Sequence, residues 1–421
     1  MRPMPLAWLS LGALVTAIVV SCFSRLNVGI LAVAFAWIVG VYFGGMSLGD
    51  VVDGFPVQLF LTLTGVTLLF TQAQLNGTMD SVARRAVGVC RGNSGLIPIT
   101  FFLLGCGIGS LGPGNIATAA MLAPMAMAVA GRARIPPFLM AIMLGTGAGA
   151  SALSPFAPTG IIVNGLMNRI GLGGHEWRTY WTNVVAHAIV AFGGYLALGG
   201  WRLFRAASVE AAGGSSGAHA DFGPRNWVTL AVVLTVIVSV LFGNANIGMA
   251  AFAGAVVLAA FRVADHEEAV RRMPWAVILM VSGVTVLISV LEQTGGLELF
   301  TALLASMATP ETITGAVAFV TGVISIYSST SGVVLPAFLP TVPGLVERLG
   351  GGDPVAIASA MNIGAHLVDV SPLSTVGAMC LAGITAPEAV RPTFNRLLAW
   401  GFSMTGVGAV LCWLMFRVVG L

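Results

Sequence analysis

Long apolar runs, separated by short polar stretches, occupy almost the whole chain. A run of about 20 apolar residues is long enough to cross a bilayer as a helix. The pattern predicts continuous spanning helices at 7–23, 26–46, 57–76, 180–203, 226–242, 245–262, 274–292 and 396–417. The chain is therefore predicted to be an all-α polytopic membrane protein.

Two further apolar runs, 137–169 and 354–385, are interrupted by glycine, serine and proline, including Ser154-Pro155 and Ser371-Pro372. Proline has no N–H and clashes with the preceding turn, so each run is predicted to be a broken helix. The backbone groups freed at each break must face protein or a polar cavity, because hydrocarbon cannot satisfy them.

Two more apolar stretches, 95–131 and 312–346, are interrupted in the middle by glycine, proline, asparagine or serine. They are predicted to be re-entrant hairpins, which enter and leave the membrane on the same side. Their turns are expected at 110–118 and 327–332.

The two halves of the chain resemble each other in sequence. The GTGAGASALSPFAPTG stretch that begins at Gly145 aligns with NIGAHLVDVSPLSTVG, which begins at Asn362, 217 residues later. A polar, flexible segment at 206–225 divides the halves and is predicted to be a cytoplasmic linker. We therefore expect two repeats, 1–205 and 226–421, each with five spanning helices and one hairpin. Because five is an odd number of crossings, the second repeat begins on the opposite side of the membrane and is inverted relative to the first.

Charge and composition narrow the class of protein. Only 8% of the residues are charged, against roughly a quarter in soluble domains. The net charge of +3 is too small and too scattered for nucleic-acid binding. Placing both termini outside puts fourteen of the 19 basic residues, all arginine, in cytoplasmic loops. The first hairpin is then expected to open to the cytoplasm and the second to the outside.

The hairpin tips are the first candidates for chemistry. Each tip precedes a helix whose first N–H groups lack intrahelical partners, and such an end attracts anions. The alternative is that these residues are ordinary caps and turn formers. The predicted substrate-binding residues lie at the tips and after the helix breaks: Gly114, Asn115, Ile116, Thr118, Pro158, Thr159, Ser329, Thr330, Ser331, Gly332, Ser374 and Thr375.

Hydroxyls and freed carbonyls near the breaks suit a hard cation such as sodium. Any one of these serines could instead bond to its own helix. Asp369 is the acid placed well inside a span, where a charge is costly and usually functional, and His366 lies three residues before it. The alternative is that Asp369 only holds the break together. The predicted cation-binding residues are Ser110, Asn115, Ser151, Ser154, Ser331, Asp369 and Ser371.

No motif of a metalloprotease, serine hydrolase or nucleotide-binding loop occurs in the sequence. We therefore expect a protein that is not an enzyme and that has no cofactor beyond a coupling ion, either sodium or a proton. His187 is predicted to be a packing residue.

These features resemble the ion transporter superfamily, within it the divalent-anion:sodium symporters and the malonate-type (MatC-like) dicarboxylate carriers. That family has a Ser-Asn-Thr tripeptide at each hairpin tip, followed by a small-residue helix that ends in proline. Here Asn115 precedes Pro124 in the first tip, whereas the second keeps the hydroxyls of Thr330 and Ser331 without the asparagine. Ala157-Pro158-Thr159 is similar to the family's Thr-Pro-Pro-like break.

The resemblance implies a transport domain of hairpins and broken helices that slides against a scaffold in an elevator mechanism, usually in a homodimer. The expected function is secondary active transport of a small organic anion, a C3–C4 dicarboxylate, with sodium or protons across a bacterial inner membrane. Two alternatives remain open at this stage. One is a cation/proton antiporter of the same superfamily that uses Asp369, and the other is the membrane subunit of a binding-protein-dependent transporter.

Overall fold

The computed structural model describes residues 4–23, 26–78, 81, 93–205, 223–243, 245–384 and 386–421. Most of the predicted linker, residues 206–222, lies outside the described residues, as do Arg84, Arg85 and Arg91 of a predicted cytoplasmic loop. The described residues form helices and connecting turns. Six of the helical segments are long and apolar enough to cross a membrane, and shorter apolar helices accompany them. The chain is therefore an integral membrane protein.

Within its described residues, the first half contains nine α-helices. The second of these helices is extended by a π-helical turn at Ile38–Phe43. A 3₁₀ turn at Gly200–Arg205 follows the ninth helix. In chain order they are α1 Met4–Phe23, α2 Val28–Trp37, α3 Leu48–Val52, α4 Val57–Leu75, α5 Leu96–Ser110, α6 Gly114–Arg132, α7 Pro137–Ser151, α8 Pro158–Arg169 and α9 Glu176–Ala197.

The second half continues with α10 Pro224–Gly243, α11 Ile247–Ala260, α12 His266–Arg272, α13 Trp275–Thr294, α14 Gly296–Ala305, α15 Ile313–Ser325, α16 Leu335–Phe338, α17 Val342–Leu349, α18 Pro354–Leu367, α19 Thr375–Ala382 and α20 Pro387–Trp413. A π-helical turn, Leu414–Val419, follows α20.

Two of the predicted spans are interrupted where the sequence places proline and serine. The segment 137–169 contains α7 and α8, which are separated at Ser154-Pro155, and α8 begins at Pro158. Proline is well suited to the first position of a helix, where its missing N–H costs nothing. The segment 354–385 contains α18, a 3₁₀ turn at Val368–Val370 and then α19. The backbone therefore leaves the helical path at both breaks.

The two predicted hairpin segments differ in regularity. In the first, α5 packs against α6 across a turn in which Gly112 and Gly114 have φ angles of 145° and 75°. A side chain at Gly112 would also collide with the Phe70 ring, so glycine is required there. In the second, α15 is followed by a π-helical turn at Thr330–Val334, α16, a 3₁₀ turn at Leu339–Thr341 and α17. Prolines at 336, 340 and 343 remove N–H donors from that arm and explain its irregular path.

The helices form two packed sets. In one set, α5 packs on α7, α15 packs on α18 and α20, and α9 packs on α7. In the other set, α2 packs on α13, α4 on α11, α10 on α11 and α1 on α14. The hairpin segments and broken helices therefore belong to one set, and most of the remaining helices belong to the other.

Glycines allow the closest crossings in the second set. A side chain on Gly29 would collide with the backbone of Leu279, and one on Gly283 would collide with Gly29. Likewise, a side chain on Gly65 would meet the Gly248 carbonyl. Each of these crossings joins a helix of the first half to a helix of the second.

Loops that are predicted to lie on the same side of the membrane also lie together in the structure. Asp53, Arg169 and Asn246, which lie in or directly beside three predicted outer loops, line one cleft of about 750 Å³. Arg178 donates a hydrogen bond to Asp353 at 2.5 Å, and both belong to predicted outer segments. Partial burial of Asp353 acts to raise its pKa, but the hydrogen bond from Arg178 holds the pKa below its ordinary value.

Candidate functional site

A polar cavity of about 240 Å³ lies where four interrupted segments meet. Its walls come from the start of α6, the start of α8, the turn between α15 and α16, and the second break with the start of α19. The lining residues are Asn115, Ile116, Thr159, Ser325, Ile326, Tyr327, Ser328, Ser329, Thr330, Ser331, His366, Asp369, Leu373, Ser374, Thr375 and Val376.

The first turns of helical segments face this cavity from four directions. Asn115 follows the first residue of α6, Thr159 follows the first residue of α8, Thr330 begins the π-helical turn and Thr375 begins α19. No side chain caps α6, α8 or α19, and at the π-helical turn Ser329 accepts the Gly332 N–H at 3.1 Å. Because the first N–H groups of a helix carry partial positive charge, this arrangement favours an anion in the cavity.

Asp369 connects two of the four walls. The residue is 8% exposed and lies in the 3₁₀ turn of the second break. Thr330 donates a hydrogen bond to Asp369 Oδ1 at 2.9 Å, and the Thr330 hydroxyl also pairs closely with the Ser325 hydroxyl. Ser374 donates to the backbone carbonyl of Asp369 at 2.7 Å, which fixes the shape of the turn.

His366 adds an imidazole to the same wall. Its Nδ1 lies 2.8 Å from the Asn362 carbonyl oxygen, which can only accept, so Nδ1 carries the proton. Nε2 is buried without a hydrogen-bond partner among the described residues. His366 therefore contributes a neutral imidazole to the cavity lining, and the lone pair of its Nε2 is buried.

Nine of the predicted site residues line the cavity. They come from both hairpin turns and both breaks: Asn115, Ile116, Thr159, Ser329, Thr330, Ser331, Asp369, Ser374 and Thr375. Gly114 and Pro158 lie beside each other behind this wall, and Gly332 packs on Met280.

The other predicted cation-binding serines bond to protein atoms. Ser151 donates to the Ala148 carbonyl of its own helix at 2.6 Å. Ser154 donates to the Ser110 carbonyl at 2.6 Å, and Ser110 itself donates to Cys106 at 2.6 Å. Ser371 is fully buried and its hydroxyl accepts the Leu373 N–H at 3.4 Å. Thr118 is also fully buried, away from the cavity lining.

The oxygen atoms around Asp369 are of the kind that a hard cation prefers. The Thr330 hydroxyl lies 2.9 Å from Asp369 Oδ1 and 3.5 Å from the Ala365 carbonyl, with the Ser325 hydroxyl adjacent. Within the described part of the chain, no three histidine, cysteine, aspartate or glutamate side chains gather as a metal-binding group. The donor set therefore fits sodium or a proton at this position.

Sequence reasoning had left several lining residues out of the site. Tyr327 and Ser328 belong to the polar turn at 327–332 and carried a usable signal. His366 lies three residues before Asp369 in the sequence but is not among the predicted site residues. Ser325, Ile326, Leu373 and Val376 gave no signal that separates them from ordinary helix residues.

A search of curated proteins finds no match to the chain. Residues 4–152 match a family model described as the N-terminus of the dicarboxylate carrier protein MatC. The matched stretch is about a third of the 421 residues and includes α5, α6 and α7. It favours a transporter over an enzyme, and over these residues the chain is similar to a dicarboxylate carrier.

Proposed function

We propose that this protein is a secondary active transporter of small organic anions, and that its substrate is a C3–C4 dicarboxylate. The observation that carries the proposal is the cavity inside the membrane-spanning part, which the first turns of four helical segments line. The similarity of residues 4–152 to a dicarboxylate carrier supports the same substrate class.

The size and lining of the cavity suit such a substrate. Its volume of about 240 Å³ is below the range of roughly 300–1,000 Å³ that drug-sized ligands occupy. None of the lining residues is an arginine, so N–H groups and hydroxyls such as those of Thr159 and Ser331 hold the anion. Dipoles bind a carboxylate less tightly than a bidentate salt bridge does, which helps a carrier to release its cargo.

An elevator mechanism is part of the proposal. Its support is the division of the helices into two packed sets, with the substrate cavity within the set that contains the hairpins and broken helices. Two inverted repeats are proposed as well. The glycine crossings support them, because Gly29 and Gly283 correspond by sequence offset to Gly248 and Gly65.

The grouping of the loops supports hairpins that open to opposite sides of a bacterial inner membrane, with both termini outside. A homodimer and coupling to sodium or protons complete the proposed description. The second candidate function is a cation/proton antiporter, and it is favoured only by the acidic side chain of Asp369 in the cavity lining.

Uptake into proteoliposomes tests the function. The purified chain is reconstituted alone, and uptake of labelled malonate and succinate is measured with inward sodium and proton gradients imposed separately. We expect accumulation of at least one dicarboxylate. Cation-driven proton flux without carboxylate uptake would favour the antiporter, and uptake that requires an added binding protein would favour the membrane subunit of such a system. If dicarboxylate uptake, cation-driven proton flux and binding-protein-dependent uptake are all absent, transport by this cavity is rejected.

A further inference from the structure

The wall formed by Asp369 and His366 has an unusual composition for a site that receives an anion. An ionised carboxylate only accepts hydrogen bonds, and a neutral imidazole whose Nδ1 is bonded to a carbonyl can only accept at Nε2. A substrate carboxylate is also only an acceptor. These three groups therefore cannot bond to one another unless a proton is supplied.

The neighbouring elements provide no cation that would remove this conflict. The segments packed on the 3₁₀ turn Val368–Val370 are α7, α15, α18, α19 and α20. Their titratable or charged groups are His366, the buried Cys380 and Cys412, and the exposed Glu388, Arg391 and Arg396 of α20. On the hairpin turn, Tyr327 is the titratable residue in the lining, and α9, which packs on α18, carries the buried His187.

An ionised Asp369 would consequently repel a dianion in the same small cavity. The described hydrogen bond from Thr330 reaches only Oδ1 of the carboxylate. Oδ2 is thus the oxygen that can carry a proton toward the substrate. With a proton there, Asp369 becomes a donor, and both the repulsion and the surplus of acceptors disappear.

We propose that the cavity binds its dicarboxylate together with one proton, which Asp369 holds in the wall that it shares with His366. This inference rests on the proposed function and adds the coupling ion to it. A proton from the solution on the loading side forms an O–H bond at Asp369, and that O–H donates to one carboxylate of the substrate. The other carboxylate accepts from the N–H groups at the helix starts. On the far side the O–H bond breaks, and proton and dianion leave together.

The imidazole is the reason for choosing a proton over sodium. Hard cations are bound by oxygen ligands, whereas a nitrogen lone pair in a neutral histidine is a proton or N–H acceptor. His366 lines the same cavity, and its buried Nε2, which has no partner among the described residues, can accept a hydrogen bond from a proton donor in this wall. A sodium ion at Asp369 would leave that nitrogen unused.

Calorimetry on the purified full-length protein measures the coupling directly. Malonate is titrated at a pH where the free acid is a dianion, in two buffers of different ionisation enthalpy and without sodium. The dependence of the measured heat on the buffer gives the number of protons taken up. We expect about one proton per malonate for the wild type and for Glu347→Gln, a change of an exposed carboxylate outside the cavity.

Asp369→Asn should bind malonate with almost no proton uptake. Its affinity should lose the dependence on pH, which in the wild type approaches about tenfold per pH unit above the pKa of the group that takes up the proton. His366→Gln should still take up the proton but bind more weakly. Loss of the uptake in His366→Gln rather than in Asp369→Asn would overturn the assignment to Asp369.

The wild-type measurement is decisive even if Asp369→Asn does not fold. Malonate binding with no proton uptake, or binding that appears only when sodium is added, overturns the inference while leaving the carrier function intact. If no C3–C4 dicarboxylate gives either heat or a shift in the thermal unfolding temperature, the proposed function fails and the proton coupling fails with it.

Discussion

The hydroxyl of Thr330 donates a hydrogen bond of 2.9 Å to the carboxylate of Asp369, 39 residues away along the chain. The bond joins the turn of the second hairpin to the second helix break. Both residues are mostly buried, and both line the cavity. One hydroxyl and one carboxylate therefore add a direct polar link between these two walls of the cavity.

Replacing that hydroxyl tests its contribution. Thr330→Val keeps the shape of the side chain but leaves Asp369 without its described donor, and a lost bond to a charged group costs roughly 1.5–3 kcal/mol. We expect a lower unfolding temperature and weaker malonate binding. Thr314→Val is the matched control, since the buried Thr314 hydroxyl has no described partner. Equal effects of the two substitutions would mean that the Thr330 bond is not important.

Asn115 is the residue of the first hairpin turn whose amide lines the cavity. Asn115→Ala should raise the apparent Km for dicarboxylate uptake about tenfold, the effect of losing one hydrogen bond of about 1.4 kcal/mol to the anion. Expression and unfolding temperature should remain close to those of the wild type. Asn395→Ala, on the exposed face of α20, is the control. Unchanged uptake kinetics in Asn115→Ala would remove this residue from the site.

Asp369 should also determine whether transport is concentrative. Asp369→Asn removes the group that couples the substrate to an ion gradient, but it preserves the polar lining. We expect accumulation against a gradient to be lost and exchange of labelled for unlabelled substrate to persist. The two are compared in proteoliposomes with sodium and pH gradients imposed separately. If Asp369→Asn accumulated substrate to the wild-type level under both gradients, Asp369 would be structural.

The side of the membrane to which each hairpin opens is better tested at the hairpin bases than at the turns. Asn115 and Tyr327 line the same cavity, so labels at the turns would report which way the cavity is open. Arg132, at the end of α6, and Pro310, before α15, are exposed and lie at the bases of the first and second hairpins. In a variant without native cysteines, Arg132→Cys should label from the cytoplasm and Pro310→Cys from outside. Labelling of both from one side would contradict the inverted arrangement.

Close backbone packing should make Gly283 intolerant of any side chain. A Cβ there would collide with the backbone of Gly29, and such overpacking typically costs about 1–3 kcal/mol. Gly283→Ala should therefore lower the unfolding temperature by several degrees. Gly193→Ala is the control, because nothing lies within 4 Å of a Cβ at that helical position. Comparable stability of the two variants would show that α2 can move away from α13.

The sequence predicted the breaks because proline leaves few choices to the backbone. Pro155 lies in the first break and Pro158 begins α8, although Pro124 and Pro392 lie within α6 and α20. Serines gave a weaker signal, since a hydroxyl can bond to its own helix or face a cavity at almost equal cost. Ser151 bonds to Ala148, whereas Ser329 lies in the cavity lining, and only the packing of other helices separates the two cases. The sequence alone does not show that His366 lines the cavity, because that position depends on how α18 packs against the other helices.

The crossings of Gly29 with Gly283 and of Gly65 with Gly248 have a consequence for biosynthesis. The partner of each early helix is encoded more than 180 residues downstream, so α2 and α4 leave the insertion machinery long before they can pack. Until the second half emerges, their glycine-lined grooves face lipid or a chaperone. We expect fragments cut at the linker to be degraded when each is expressed alone, and to recover activity when the two are synthesised together in one cell.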